Sequence, residues 1–331
     1  MCFLIIYLQR IEMEYKESPA FLNANVSQYG SHMIMTNVKK PQKTKIINMD
    51  TRFVDEYQMN TNVYPITLSD KITNVKSMKV VTAEIPVSYY NISAALGNNY
   101  FMVTNNKYRQ GFADVVKCFI FTIPDGVYDT ASLVGAINGQ LNIAGSGIPF
   151  EVRLTINTSG YISLNIPSQS GSIDYDFQFD FAINPNGEFD KYNFKTKLGW
   201  ILGFRNTSYK YAGTFSQGYV FTTADAFPNL NIFRYLYLTI DESTNGSQNS
   251  FLSSLPTSLI NKNIIARITP NVAFGNVLYA NCGNGYLYSD CRQYTSKIDI
   301  QRLNVQLINE FGQSVDLNGL DFSFCMEIEY E

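Results

Sequence analysis

One histidine, His32, bounds the acid–base chemistry open to this chain. A Ser-His-Asp or Cys-His apparatus needs its imidazole held against a nucleophile by packed structure. His32 lies beside Met33-Ile34-Met35 in a stretch with no sustained period, and reads as a surface or interface histidine. The five cysteines (Cys2, Cys118, Cys282, Cys291, Cys325) form no CxxC pair. Without a second histidine, zinc and transition-metal sites of the usual composition are not expected. The odd cysteine count favours free thiols in a reducing compartment. Cys118 and Cys325, on predicted strands, are expected to be buried and reduced, while Cys282 and Cys291 could bridge a Gly-rich loop.

Paired carboxylates are the next candidates, because β-sandwiches host glycosidases and carbohydrate binders. Asp174, Asp176 and Asp180 alternate with Tyr175, Phe177 and Phe179, which reads as the wet face of an amphipathic strand before an acid/base pair. Asp241-x-Ser243-x-Asn245-Gly246 has the outline of a calcium loop, but Leu252 stands where a bidentate Glu belongs. No GxxxxGK[ST], GxGxxG after a strand, or GxSxG occurs. Tyr209-Lys210-Tyr211 and Phe233-Arg234-Tyr235 could stack bases, yet at this aromatic content they read as core and interface. No catalytic residue, metal ligand or cofactor site emerges. The expectation is a non-enzymatic protein that works through its surfaces.

The elements that would position any site are strands. Period-2 or apolar runs predict them at 45–50, 62–69, 75–85, 115–123, 150–157, 161–166, 176–183, 199–204, 232–240, 264–269, 298–308 and 322–330. Pro65 suggests an edge or a strand start. Residues 115–123 are apolar enough for burial on both faces. Thr158-Ser159-Gly160 marks a hairpin, and Phe177, Phe179, Phe181 and Ile183 are placed inward. Phe324 is placed inward on the same grounds. One helix is predicted, launched by Pro124-Asp125-Gly126, capped by Asp129 or Thr130 and carrying Leu133, Ile137 and Leu141 at i, i+4, i+8. Gly135 and Gly139 weaken it, so it needs tertiary support. About twelve strands and one short helix predict an all-β, jelly-roll-like antiparallel β-sandwich.

Composition agrees. The 331 residues include 23 Phe and 23 Tyr but only 16% charged residues, with Asn, Thr and Ser at polar positions. The net charge of −3 gives no reason to expect specific nucleic-acid binding, and no small-molecule substrate is indicated. Residues 1–44 stand apart as an extended amino-terminal arm before the β domain at 45–331, which is one elaborated sandwich or two small jelly rolls. The arm opens on an apolar tip with no basic n-region or nearby cleavage site, and ends in the basic stretch Lys39-Lys40-Pro41-Gln42-Lys43-Thr44-Lys45. Its expected interface residues are Phe3, Leu4, Ile5, Ile6, Tyr7, Lys39, Lys40 and Lys43, docking on a neighbouring subunit first and a membrane surface second. Five Asn-x-Ser sequons (Asn25, Asn91, Asn157, Asn206, Asn245) are those an Asn- and Ser-rich chain produces by chance.

An ordered series of segments carries a resemblance. They are Asn48-Met49-Asp50-Thr51-Arg52-Phe53, then Val75 to Lys79 leading into Ala83-Glu84-Ile85-Pro86, then Tyr89-Tyr90-Asn91-Ile92. Ile123-Pro124-Asp125-Gly126-Val127-Tyr128, Leu198 to Arg205 and Val315 to Phe324 complete it. The series, over roughly residues 46–330, resembles minor capsid proteins of nucleocytoplasmic large DNA viruses, the giant-virus group. The resemblance implies a jelly-roll virion protein, assembled in the host cytoplasm, that packs against major capsid protein and other minor capsid proteins, its arm and loops tying it to neighbouring capsomers or to the inner viral membrane surface. It implies no catalytic residues. A penton at the five-fold vertices and a carbohydrate-binding or fibre-like attachment module are the alternatives. Gly199, Gly203 and Gly319 are expected at backbone turns or close approaches.

Overall fold

The computed structural model describes residues 42–54, 63–110, 113–142, 152–166, 173–190, 193–215, 218–231, 233–242 and 263–331. The first strand, β1 (Lys43–Asp50), ends in a single 3-10 turn, Thr51–Phe53, whose Arg52 N–H is met by the Asp50 carboxylate. β2 (Val63–Pro86) then runs for 24 residues, merging the two strands predicted at 62–69 and 75–85. β3 (Tyr100–Gln110) and β4 (Ala113–Thr122) follow, then α1 (Thr130–Leu141). β5 (Arg153–Ile156) and β6 (Ile162–Asn165) form the predicted hairpin, closed by Gly160 at a φ of 83°. β7 (Ile173–Asp180), the one-turn helix α2 (Leu198–Ile201), β8 (Ser208–Phe215) and β9 (Val220–Thr223) come next. The chain ends with β10 (Leu236–Asp241), β11 (Ile264–Ile268), β12 (Val277–Asn281), β13 (Leu287–Ser289), β14 (Arg292–Asn309) and β15 (Ser323–Tyr330).

Every ladder among these strands is antiparallel. The largest sheet has the order β1-β15-β2-β14-β10-β11-β13, with β12 pairing β2. It curls into a jelly-roll-like sandwich because β2 serves both layers. The early part of β2 pairs with β14, whereas β15 joins it from Val75 and β12 from Thr82. Asn74, at a φ of 56°, sits at the crossing, where the β2–β14 register also shifts. The layers meet again where the Val80 N–H donates to Ser289 Oγ at 2.9 Å. Inside lie Val75, Met78, Leu238, Ile300, Leu307, Phe324, Met326 and Ile328. Pro65 has only the β14 side as a ladder partner, so it occupies a local edge as expected.

A second hydrophobic cluster, drawn from residues 92–224, is inserted between β2 and β10. Its walls are the sheets β4-β3-β7-β8 and β5-β6-β9. It is rich in phenylalanine: Phe101 stacks on Phe179 at 6.0 Å and Phe121 at 5.2 Å, and Phe177 meets Phe221 edge-on at 5.0 Å. Phe177, Phe179, Phe181 and Ile183 are all buried, as the alternation predicts. The polar phase departs from expectation, since Asp180 is buried and accepts from the Gln178 amide. α1 buries Leu133, Val134, Ile137 and Leu141. Asp129 and Ser132 cap it reciprocally, and the Asn138 side chain exchanges hydrogen bonds with the Leu154 backbone, supplying the tertiary support its glycines require.

Two predicted elements are corrected. Residues 198–201 are helical, not a strand. Gly203, at a φ of 97°, ends that turn: its N–H donates to the Trp200 carbonyl and the Phe204 N–H to the Gly199 carbonyl, a Schellman closure. β4 is not buried on both faces. It is the outer strand of its sheet, and Val116, Cys118 and Ile120 are exposed. Lys43 and Thr44, assigned to the arm by sequence, are the first residues of β1, facing Tyr330 and Glu329.

Candidate interaction surfaces

The segments that carry the family resemblance meet one another in space. The Thr51 hydroxyl donates to Asp321 and accepts the Phe322 N–H, joining the end of β1 to the start of β15. The Asn91 side chain both accepts the Tyr128 N–H and donates to the Tyr128 carbonyl, and Ile92 bridges Gly126. Asp125 receives the Ala94 N–H and the Asn99 amide. A Cβ on Gly199 would lie 2.5 Å from the Phe181 Cβ, and one on Gly203 would lie 2.0 Å from the Ala226 carbonyl oxygen. Gly319, at a φ of 76°, follows Asn318 at 54° in the turn before β15. These residues specify the backbone, and the expectation for the three glycines holds.

Among the described residues no chemistry gathers around the sequence candidates. His32, Phe3, Leu4, Ile5, Ile6, Tyr7, Lys39 and Lys40 lie outside the described residues, as does nearly all of the segment once compared with a calcium loop. Lys43 is exposed on β1. Asp176 accepts from Asn106 at 2.7 Å while Asp180 is tied to Gln178, so each carboxylate is already engaged by an amide. Among the described residues no three His, Cys, Asp or Glu side chains are grouped to hold a metal ion, and no helix is long and apolar enough to cross a membrane. Cys118, Cys282 and Cys291 are exposed free thiols. The Cys282–Cys291 bridge is therefore absent and Cys118 is not buried. Cys325 is half-buried, and desolvation raises its thiol pKa.

Two ion-bearing clusters are buried. Arg292 donates to the Ile240 carbonyl at 2.8 Å, to Glu242 at 2.7 Å and to the Asn263 carbonyl at 2.7 Å. Tyr294 donates to the other oxygen of Glu242 at 2.5 Å. Burial, then the neighbouring Glu242 charge, pushes the Tyr294 hydroxyl far up, so it stays a donor. Lys197 is the second: its ammonium donates to the Tyr100 hydroxyl at 3.1 Å and lies 3.5 Å from Asp190. Each cluster ties loops to strands.

What the surface offers instead is exposed apolar side chains beside strand edges that have no partner among the described residues. β1 is an outer strand, with Ile46 69% exposed and Phe53, 78% exposed, in the turn that follows it. Asp50 holds Arg52 next to Phe53, and the side-chain hydrogen bond from Arg52 lowers the Asp50 pKa. On β4, Val116 and Ile120 are exposed; Ile120 abuts Gly187 of the 184–188 turn, and Phe189 follows that turn 60% exposed. Tyr279 and Tyr288 are likewise exposed, on β12 and β13.

Between the two hydrophobic clusters the chain passes out at Tyr89 and returns at Phe233, whose rings meet edge-on at 4.7 Å. Burial pushes the Tyr89 hydroxyl up to about 12. Beside this crossing lies a cleft of about 390 Å3, with Trp200 and Arg205 on one wall and Arg234 and Glu310 on the other. The Arg205 guanidinium stacks 3.9 Å over the Trp200 ring and donates to the Trp200 and Phe204 carbonyls. The sequence contains the pair in Leu198 to Arg205 but gives no signal that the helix end would fold the arginine back onto the indole.

No family model matches the chain, and no curated protein matches it. Among solved structures, one similar chain is the mavirus penton protein, at a TM-score of 0.44 and 12% identity over 88% of this chain and 100% of that one.

Proposed function

We propose that this chain is a structural, non-enzymatic virion protein: a minor capsid component that packs against major-capsid capsomers and helps to hold an icosahedral shell together. The observation that carries the reading is the pairing of an antiparallel β body with exposed apolar side chains beside two strand edges that are open among the described residues, at Ile46 and Phe53 and at Val116, Ile120 and Phe189. An unpaired edge flanked by apolar groups is a liability in a free monomer and an asset in a subunit held between neighbours. The segment resemblance supports the same reading, because its motif residues are the ones that fix this backbone. Residues 1–41 act in this proposal as a tether. The apolar tip at Phe3 to Tyr7 and the basic Lys39 and Lys40 contact capsomers, other minor capsid proteins or the inner membrane surface, gaining order on contact.

Particle incorporation tests this directly. Deleting residues 1–41 is expected to leave thermal unfolding of the β body nearly unchanged and to abolish incorporation. An Ile46→Lys/Ile120→Lys variant is expected to fold normally and incorporate at least tenfold less. Normal incorporation of both variants sinks the proposal, and failure of the truncated chain to fold shows that the arm belongs to the core.

A further inference from the structure

The cleft beside the Tyr89–Phe233 crossing has a charge imbalance that the packing does not use. Three cations line it, Lys195, Arg205 and Arg234, against one carboxylate, Glu310. Glu310 accepts the Arg234 backbone N–H at 2.9 Å, and burial raises its pKa against the opposing pull of that bond and of the Arg234 and Arg267 charges. Among the described residues the Arg234 guanidinium makes no close ion pair or side-chain hydrogen bond and has only the longer-range attraction of Glu310, while the Lys195 ammonium has only the Trp200 ring, 5.9 Å away. Arg205 is different. Its Nη1 is committed to two carbonyls and its plane to the indole, which leaves Nε and Nη2 without acceptors among the described residues. Uncommitted amide donors join them: Asn229 uses only its Oδ1, toward the Asn231 N–H, and Gln313 only its Oε1, toward Asn309.

The occupant is constrained by what the aromatic floor can do. Trp200 is no open platform for a sugar ring, since Arg205 covers one face and Phe194 meets it edge-on at 5.8 Å. A nucleic-acid strand needs a basic track and successive exposed rings, whereas the cations here are confined to one cleft on a chain of net charge −3. Cations spread along both walls, with amide donors beside them, instead match the spaced carboxylates and carbonyls of an extended peptide. The volume lies in the range of ligand-sized pockets. We propose that this cleft binds an acidic peptide segment of a partner protein, its carboxylates pairing with Lys195 and Arg234 and its backbone carbonyls accepting from Asn229 and Gln313. The proposal goes beyond the capsid reading and does not depend on it.

Trp200 is the only tryptophan in the chain, so its emission reports the cleft in the intact protein. Titration of the full chain with hexaglutamate is expected to give a saturable change in emission. That change should weaken at least tenfold between 50 and 200 mM salt, as charge pairing requires. Lys195→Gln/Arg234→Gln should weaken it at least tenfold with no change in thermal unfolding, because both side chains are exposed. A Lys195→Glu/Arg234→Glu variant should lose hexaglutamate and gain hexalysine. The proposal is overturned by no response to hexaglutamate, by equal affinity for hexaglutamine, or by unchanged affinity in the double Gln variant. Tighter binding of tripolyphosphate than of hexaglutamate also overturns it, in favour of a phosphate site.

Discussion

At the scale of single residues, the fold depends on side chains that close backbone geometry more than on any reactive group. Phe179 and Phe324 are the fully buried anchors of the two clusters, at 0% and 1% exposure. Phe179→Ala and Phe324→Ala are each expected to cost about 3–5 kcal/mol in urea unfolding, and a loss below about 1 kcal/mol would mean the strand phase is misassigned. Glu331 sets a pH dependence of its own. Hydrogen bonds from Lys297 and then Lys76 hold its carboxyl down at about 2, below its ordinary 4.5. Its contribution is therefore present above about pH 4.5 and is lost as pH falls toward 2. Carboxylate NMR should give a midpoint near 2 that rises toward the ordinary range in Lys297→Ala, and an unmoved midpoint would remove Lys297 as the cause. The strand phases were legible here because alternation of Phe177, Phe179 and Phe181 with polar residues has one physical solution. The burial of Asp180 was not, since it depends on a Gln178 amide two residues away on the same strand.

Elements show where period alone fails. The run Trp200-Ile201-Leu202-Gly203-Phe204 satisfies a short buried strand and a helical turn equally well, and the choice falls to two glycines whose Cβ atoms would collide with Phe181 and Ala226. β4 shows a different failure: an apolar run was read as buried on both faces, but a strand at a sheet edge can keep its apolar side chains for a neighbour. α1 was read correctly, and its two weak points are open to test. A Cβ at Gly135 or Gly139 would meet nothing within 4 Å beyond the helix itself. Gly135→Ala and Gly139→Ala should thus each stabilise the fold by roughly 0.8–1 kcal/mol, and destabilisation would reveal a contact on that face. The junction between β10 and β14 makes the opposite prediction. Glu242→Leu strands the Arg292 guanidinium and the Tyr294 hydroxyl in the interior, and should cost about 3–5 kcal/mol in urea unfolding. Arg292→Met/Glu242→Leu should recover most of that loss. If it recovers none, the ion pair is not what holds the junction.

On the scale of the whole molecule, the class was legible and the partition was not. Alternating strands and sparse charge point to an antiparallel sandwich. The insertion of one hydrophobic cluster into another, by contrast, leaves no compositional mark at Tyr89 or Phe233, because these crossing points are as aromatic as the cores they join. The candidate cleft was invisible for the same reason: its walls come from positions as far apart as Lys195 and Glu310. The 24-residue β2 has a further consequence for how the protein is made. Its partners β12, β14 and β15 are all synthesised after the insert, and among the described residues β1 pairs only with β15. As the chain leaves the ribosome, the inserted residues 92–224 carry all their own sheet partners and can collapse while β1 and β2 still have none. The first cluster must then close around a finished insert, so a nascent chain halted before Ser323 would keep the Phe-rich cluster and leave β1 without its pairing strand. Completion of the sandwich waits for β15, so its closing step follows the formation of the insert.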